Sequence, residues 1–169
     1  MATTIYILLG SNIGDRERNL YSALDKIEAI PGLEVVATSA IYLSEAQEME
    51  GESPAFMNQA VMADYLYLPQ ELLNELEKIE KKMGRIDKGK MKPRIIDLDI
   101  LLFGDEVIQT KQLSIPHKKL LRRPFAMIPL LQITPDIVHP IKKEPIAKFL
   151  KDKDRQEIIL YKDHVARNI

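Results

Sequence analysis

Apolar positions along this chain follow two rhythms, one returning every second residue and one every third or fourth. Residues 3–9 are short, β-branched and apolar; they predict a strand that ends at the turn Gly10-Ser11-Asn12. Residues 15–30 predict a helix, with Leu20, Ala23, Leu24, Ile27 and Ile30 on one face and Pro31-Gly32 as its stop. Residues 33–43 and 56–67 predict a second and a third strand, separated by a polar, acidic stretch over 44–54 that predicts a loop. Pro69 opens a second helix that buries Leu72, Leu73, Leu76, Ile79 and Met83, and Gly84 suits its C-terminal end. A basic loop then leads into a fourth strand that reaches Phe103. The order β-α-β-β-α-β predicts an α+β fold with a ferredoxin-like core. From Pro116 onward the pattern predicts additional C-terminal helices, kept short by Pro124, Pro129, Pro135, Pro140 and Pro145.

Composition narrows this picture. The 169 residues are enough for one domain spanning 1–169, and 46% apolar residues is ordinary for a globular chain. A formal net charge of −1 argues against non-specific nucleic-acid binding, so any anion site must be a local patch. There is no cysteine, which excludes disulfides and thiolate metal sites. No signal peptide or membrane-spanning run stands out, and a cytoplasmic protein is expected.

The fourth strand carries the densest candidate chemistry. In Arg94-Ile95-Ile96-Asp97-Leu98-Asp99-Ile100-Leu101-Leu102-Phe103, two carboxylates interrupt an apolar run. Period-two alternation puts Asp97 and Asp99 on one face, with Cβ atoms roughly 6–7 Å apart. Two like charges on a half-buried strand need a positive partner, and hard oxygen ligands suit Mg²⁺. Arg85, Lys88, Lys90, Lys92 and Arg94 supply cations just upstream, so the region fits a polyphosphate. A bare Asp-x-Asp is also what a solvated strand face paired to Lys and Arg looks like.

Other groups are modest alone. Gly10-Ser11-Asn12-Ile13-Gly14 follows a strand and precedes a helix but is neither a P-loop nor a dinucleotide fingerprint. Glu77 and Glu80 share a helix face beside Lys81 and Lys82, the pattern of a solvated surface. His117 opens a basic cluster with Lys118, Lys119, Arg122 and Arg123. Phe56 and Phe125 read as core and Asn58 as a polar strand residue. On residues alone, three readings stand: a metal-dependent phosphoryl transferase, a nucleotidyl transferase using the same pair, and a non-catalytic binding module.

Taken in order, the segments form a stronger pattern. The run from Lys92 to Gly104 resembles the signature of 6-hydroxymethyl-7,8-dihydropterin pyrophosphokinases, folate-pathway enzymes. Leu9 to Asp15, Phe56 to Val61, Glu71 to Arg85, Ile115 to His117 and Arg123 to Leu130 resemble the family's other characteristic stretches. The resemblance covers about residues 5–140. It implies pyrophosphoryl transfer from ATP to the hydroxymethyl group of 6-hydroxymethyl-7,8-dihydropterin, with release of AMP.

The roles it implies are specific. Asp97 and Asp99 would hold two Mg²⁺ ions and, with Arg85 and Arg94, form the catalytic group. Glu77, Glu80, Arg85, Lys88, Arg94, His117 and Arg123 would line the ATP site. Asn12, Ser44, Phe56, Asn58, Asp97 and Phe125 would form the pterin site, the two rings sandwiching the flat heterocycle and Asn58 reading its edge. Segments 44–54 and 86–93 would order around the ligands. ATP and the pterin alcohol are the expected partners, with no nucleic acid and no membrane.

Overall fold

The computed structural model describes residues 1–44, 55–84 and 95–163. Its frame is an α+β arrangement around one antiparallel sheet. The elements run β1 (Thr3–Ser11), α1 (Arg16–Glu28), β2 (Leu33–Thr38), β3 (Ile41–Ser44), β4 (Phe56–Tyr65), α2 (Pro69–Lys82) and β5 (Asp97–Phe103). After these come the short strands β6 (Ile108–Gln109) and β7 (Ser114–Ile115), then α3 (Pro124–Ile133), α4 (Asp152–Glu157) and β8 (Ile159–Lys162). Strand order is β5-β1-β4-β3-β8, with β2 also paired to β4; β6 and β7 form a separate hairpin.

Each face of the sheet has its own core. Leu20, Ala23, Leu24 and Ile27 of α1 recur at helical spacing and are buried with Leu72, Leu76 and Ile79 of α2. They pack on Ile5, Ile7 and Leu9 of β1 and on Leu98 and Ile100 of β5. Residues of opposite parity, Tyr6 and Leu8, pack with Leu101, Leu120, Met127 and Leu130 on the α3 side. A fully buried Leu or Ile contributes about 1.5–3 kcal/mol. Asp15 caps α1 by accepting the Arg18 N–H at 3.1 Å, and Gly84, with φ of 103°, follows the end of α2.

Two sequence expectations change. The predicted strand 33–43 is two strands, because Ser39 intrudes between them. Its N–H donates to the Ala60 carbonyl and its Oγ accepts the Ala60 N–H, both at 2.9 Å. The register slips there, as an inserted residue requires. The region after Pro116 is not all helical either: Ile159–Lys162 adds the edge strand β8 to β3. Lys162 reaches Glu17 of α1 at 2.6 Å, and the Tyr161 hydroxyl donates to the same carboxylate at 3.3 Å. Those contacts hold a short apolar strand whose pattern alone is too brief to be read. On the other side, Gln132 of α3 accepts the Ala40 N–H (2.8 Å) and the Tyr42 hydroxyl (3.0 Å), tying α3 to β3.

His139 links stability to pH. It is buried, and its Nδ1 accepts the N–H groups of Ile141 and Lys142, each at 3.2 Å. Burial, then the charge of Lys142, pushes its pKa below the ordinary imidazole value. The unfolded chain therefore takes up the proton first, near pH 6.5. The contribution is complete above that pH and is lost as pH falls through the unfolded value toward the lower folded one. Denaturant unfolding from pH 7 to pH 5 should show declining stability, and His139→Asn should flatten that part of the decline. An unchanged slope in the variant contradicts this assignment.

Candidate functional site

The acidic pair lies between a group of polar and aromatic residues on the sheet face and a cavity at the sheet edge. Asp97 and Asp99 are both half-buried and share one face of β5. β5 ends the sheet, so among the described residues one of its edges has no strand partner. A side chain of α2 serves that edge: Glu80, only 3% exposed, accepts the Leu98 N–H on Oε2 at 2.8 Å. The peptide between the two aspartates is thereby anchored to a helix. On the other side β5 pairs with β1, Gly10 opposite Asp97 and Leu8 opposite Asp99.

The group on the sheet face is set by strand register. Gly10 pairs with Asp97 on one side and Asn58 on the other, and Asn58 pairs in turn with Tyr42. Asp97 and Asn58 thus stand two strand spacings apart, about 9.5 Å, with a residue lacking a side chain between them. A Cβ at Gly10 would come 3.2 Å from Asn58 Oδ1 and 3.4 Å from Phe56 Cδ1, tight contacts that glycine avoids. Asn58 is 1% exposed and donates from Nδ2 to Ser44 Oγ at 2.8 Å, which leaves Oδ1 turned toward Gly10. Phe56 is half-buried. Phe125, in the first turn of α3, is also half-buried, with the Arg123 guanidinium 5.4 Å above its ring centroid. Phe56 and the Asn58 amide can meet the face and the polar edge of a flat ring.

The cavity lies beyond the outer edge of β5, between α2 and the β6–β7 hairpin. It measures about 240 Å³, and Leu73, Glu77, Asp99, Ile100, Ser114 and His117 are among its lining residues. The His117 ring is oriented by its own chain: Nδ1 accepts the Lys119 N–H at 3.2 Å. Its Nε2 therefore carries the proton and faces Asp99 Oδ1 at 3.9 Å. Among the described residues no cluster of three or more His, Cys, Asp or Glu could hold a metal ion. A cation on Asp97 and Asp99 would need further oxygens from a ligand, the usual situation for Mg²⁺ on a nucleotide.

The residues singled out from sequence divide by place. Phe56, Asn58, Ser44 and Asp97 come together at the sheet face; Glu77, Asp99 and His117 come together at the edge cavity. Arg123 and Phe125 open α3. Asn12 is fully buried just past β1. Glu80 is directed at the Leu98 backbone rather than at open space. Arg85, Lys88 and Arg94, together with most of segments 44–54 and 86–93, lie outside the described residues. Sequence reasoning missed Gly10 on the sheet face and Leu73, Ile100, Thr110, Leu113 and Ser114 in the edge cavity. The hairpin strands are two residues long and carry no periodic signal, and a glycine before a turn reads as turn chemistry.

Comparison with known proteins adds independent findings. The family model described as 7,8-dihydro-6-hydroxymethylpterin-pyrophosphokinase (HPPK) matches residues 6–135. A 2-amino-4-hydroxy-6-hydroxymethyldihydropteridine pyrophosphokinase from Aquifex aeolicus is 44% identical over 146 residues, covering 86% of this chain and 89% of that protein. The protein of that name from Pseudomonas aeruginosa is 34% identical, covering 83% and 86%. Among solved structures, wild-type Plasmodium falciparum HPPK-DHPS with pteroate aligns with a TM-score of 0.69 and 16% identity. It shares the fold over 88% of this chain, which spans only 42% of that longer protein.

The Glu80 anchor makes a direct prediction. Glu80→Ala leaves the Leu98 amide without its acceptor in a buried place, a cost of about 1–3 kcal/mol. Thermal unfolding should show that loss, and nucleotide affinity should fall with it because β5 is no longer held at Leu98. A variant with the wild-type melting temperature contradicts the anchoring role.

Proposed function

The chain belongs to the 7,8-dihydro-6-hydroxymethylpterin-pyrophosphokinase family, and from that membership we propose how its site divides the work. The reaction is transfer of the pyrophosphoryl group of ATP to the hydroxymethyl group of 6-hydroxymethyl-7,8-dihydropterin, a step of folate biosynthesis. The hydroxymethyl oxygen attacks the β-phosphorus, the bond from that phosphorus to the α-phosphate bridging oxygen breaks, and AMP leaves. The hydroxyl proton passes to solvent; no side chain is assigned as a base.

The observation that carries this reading is the place of Asp97 and Asp99 between the Gly10, Asn58 and Phe56 group on the sheet face and the edge cavity lined by Glu77, Asp99 and His117. The pterin lies on the sheet face over Gly10, between Phe56 and Phe125, with the Asn58 amide at its polar edge and Ser44 behind that amide. Asp97 stands beside the same pocket. ATP occupies the edge cavity, with Glu77 on one wall and the His117 Nε2–H directed at the phosphates beside Asp99. Arg85, Lys88, Arg94 and Arg123 add positive charge, and Asn12 supports the pterin side from beneath. Asp97 and Asp99 would hold two Mg²⁺ ions, which supply charge neutralisation of the triphosphate when bound. The protein's share of catalysis is mainly alignment of two substrates on a stiff sheet.

The architecture supports a finer description. With β2 and β3 counted as one interrupted strand, the four core strands stand in the order four-one-three-two, all antiparallel. We read that as a ferredoxin-like core, within one pyrophosphokinase domain spanning 1–169. Among the described residues no helix is long and apolar enough to cross a membrane.

Two measurements test the division of labour. Asp97→Ala and Asp99→Ala should each abolish AMP release, a loss of several kcal/mol of transition-state stabilisation, with little change in melting temperature. Near-normal turnover in either folded variant sinks the proposed metal role. Phe56→Ala, Phe125→Ala and Asn58→Ala should weaken pterin binding more than ATP binding in calorimetry, with stacking alone worth about 0.5–1.5 kcal/mol per ring. Equal loss for both ligands assigns those residues to the core instead.

A further inference from the structure

We propose that Arg16, in the first turn of α1, is a positioning residue for the pterin pocket, acting through the backbone on the ring of Phe56. This rests on the pterin reading of that pocket. Arg16 Nη1 donates to the Ala55 carbonyl at 2.7 Å, across 39 residues of sequence. A guanidinium on a carbonyl is a charge-assisted bond, short and directional. The Ala55 carbonyl and the Phe56 nitrogen share one planar peptide. Holding that oxygen sets the plane from which Phe56 leaves the chain; its φ, limited by the pairing with Ser44, and its side-chain torsions remain.

The base from which Arg16 reaches is itself held. Asn19 Nδ2 donates to Ser11 Oγ (3.1 Å) and to the Ile13 carbonyl (2.9 Å), bridging the turn between β1 and α1. The Asp15 cap closes the start of the helix. β1 in turn runs beside β4, Ser11 opposite Met57 and Gly10 opposite Asn58. Backbone and side-chain bonds therefore form a closed circuit: β4 to β1, through the turn to α1, and back through Arg16 to the start of β4. Phe56 sits where that circuit closes, its Cδ1 packed over the bare Cα of Gly10. Without Arg16 the circuit opens at Ala55, where the strand begins and, among the described residues, Phe56 is paired with Ser44 of β3 alone. A stacking face must be held within small angular limits to bind well, so this bond bears on the proposed pterin site. Arg16 is not among the described residues that line the edge cavity.

The test is a double-mutant cycle read separately for the two ligands. Arg16→Met, which keeps the aliphatic stem and removes the donors, should weaken binding of the reduced pterin alcohol about tenfold while leaving a non-hydrolysable ATP analogue within about twofold. The pterin KM should rise more than kcat falls, and Arg16→Lys, which still donates, should recover much of the loss. In a Phe56→Ala background the pterin cost of Arg16→Met should largely vanish, since the ring it positions is gone. Wild-type pterin affinity in Arg16→Met overturns the inference and leaves the functional reading standing. Equal loss of both ligands, or an undiminished pterin cost in the Phe56→Ala background, also overturns it by showing a general structural role. Where Arg16→Met does not fold, Arg16→Leu, which also lacks a donor, carries the same cycle, and each outcome has the same meaning. Failure of the wild-type protein to bind the pterin alcohol overturns the functional reading, and this inference with it.

Discussion

The register of three antiparallel strands is the constraint from which the site follows. β1 sets Gly10 between Asp97 of β5 and Asn58 of β4, so the acidic group, the gap and the amide lie in one row across the sheet. A shift of one residue in either pairing would turn Asp97 or Asn58 to the opposite face, where α1 and α2 pack. The apolar residues of opposite parity, Leu9 with Leu98 and Met57, are buried there and make such a slip costly. The same alternation that builds the core therefore fixes the geometry of the polar row.

Around that row, backbone groups with no strand to bond are taken up by side chains from the helices. Glu80 of α2 meets the Leu98 N–H on the outer edge of β5; Gln132 of α3 meets the Ala40 N–H at the break between β2 and β3; Arg16 of α1 meets the Ala55 carbonyl at the start of β4. Each is a polar bond across a long stretch of sequence. Together they fasten helices to the sheet beside the acidic pair, the Asn58 row and the edge cavity. Packing alone orients helices less sharply than a bond of fixed length and direction.

Much of this frame is legible in the amino-acid pattern. Leu20, Ala23, Leu24 and Ile27 at helical spacing announce α1, and Pro69 and Gly84 bracket α2. The Asp97/Asp99 alternation puts both carboxylates on one face, where they lie. What is not legible depends on contacts between distant segments. Ser39 splits a strand because its hydroxyl and amide meet Ala60, and β8 forms because β3 offers an open edge and Glu17 a partner for Lys162. Glu80 is buried although its spacing with Glu77 and its lysine neighbours match a surface helix. Its carboxylate accepts the Leu98 N–H, a contact between distant segments that spacing does not announce. Gly10 gives no periodic signal, and its meaning comes from the residues on either side in the sheet.

The central claim is that the acidic pair joins a pterin pocket to an ATP cavity, so that the β-phosphorus rather than the terminal one is attacked. The most direct measurement is ³¹P NMR of the products formed from ATP, Mg²⁺ and 6-hydroxymethyl-7,8-dihydropterin. The account predicts AMP and a pterin carrying two phosphorus atoms, in equal amounts and dependent on the pterin. ADP with a singly phosphorylated pterin, or ATP consumption that does not depend on the pterin, would contradict it.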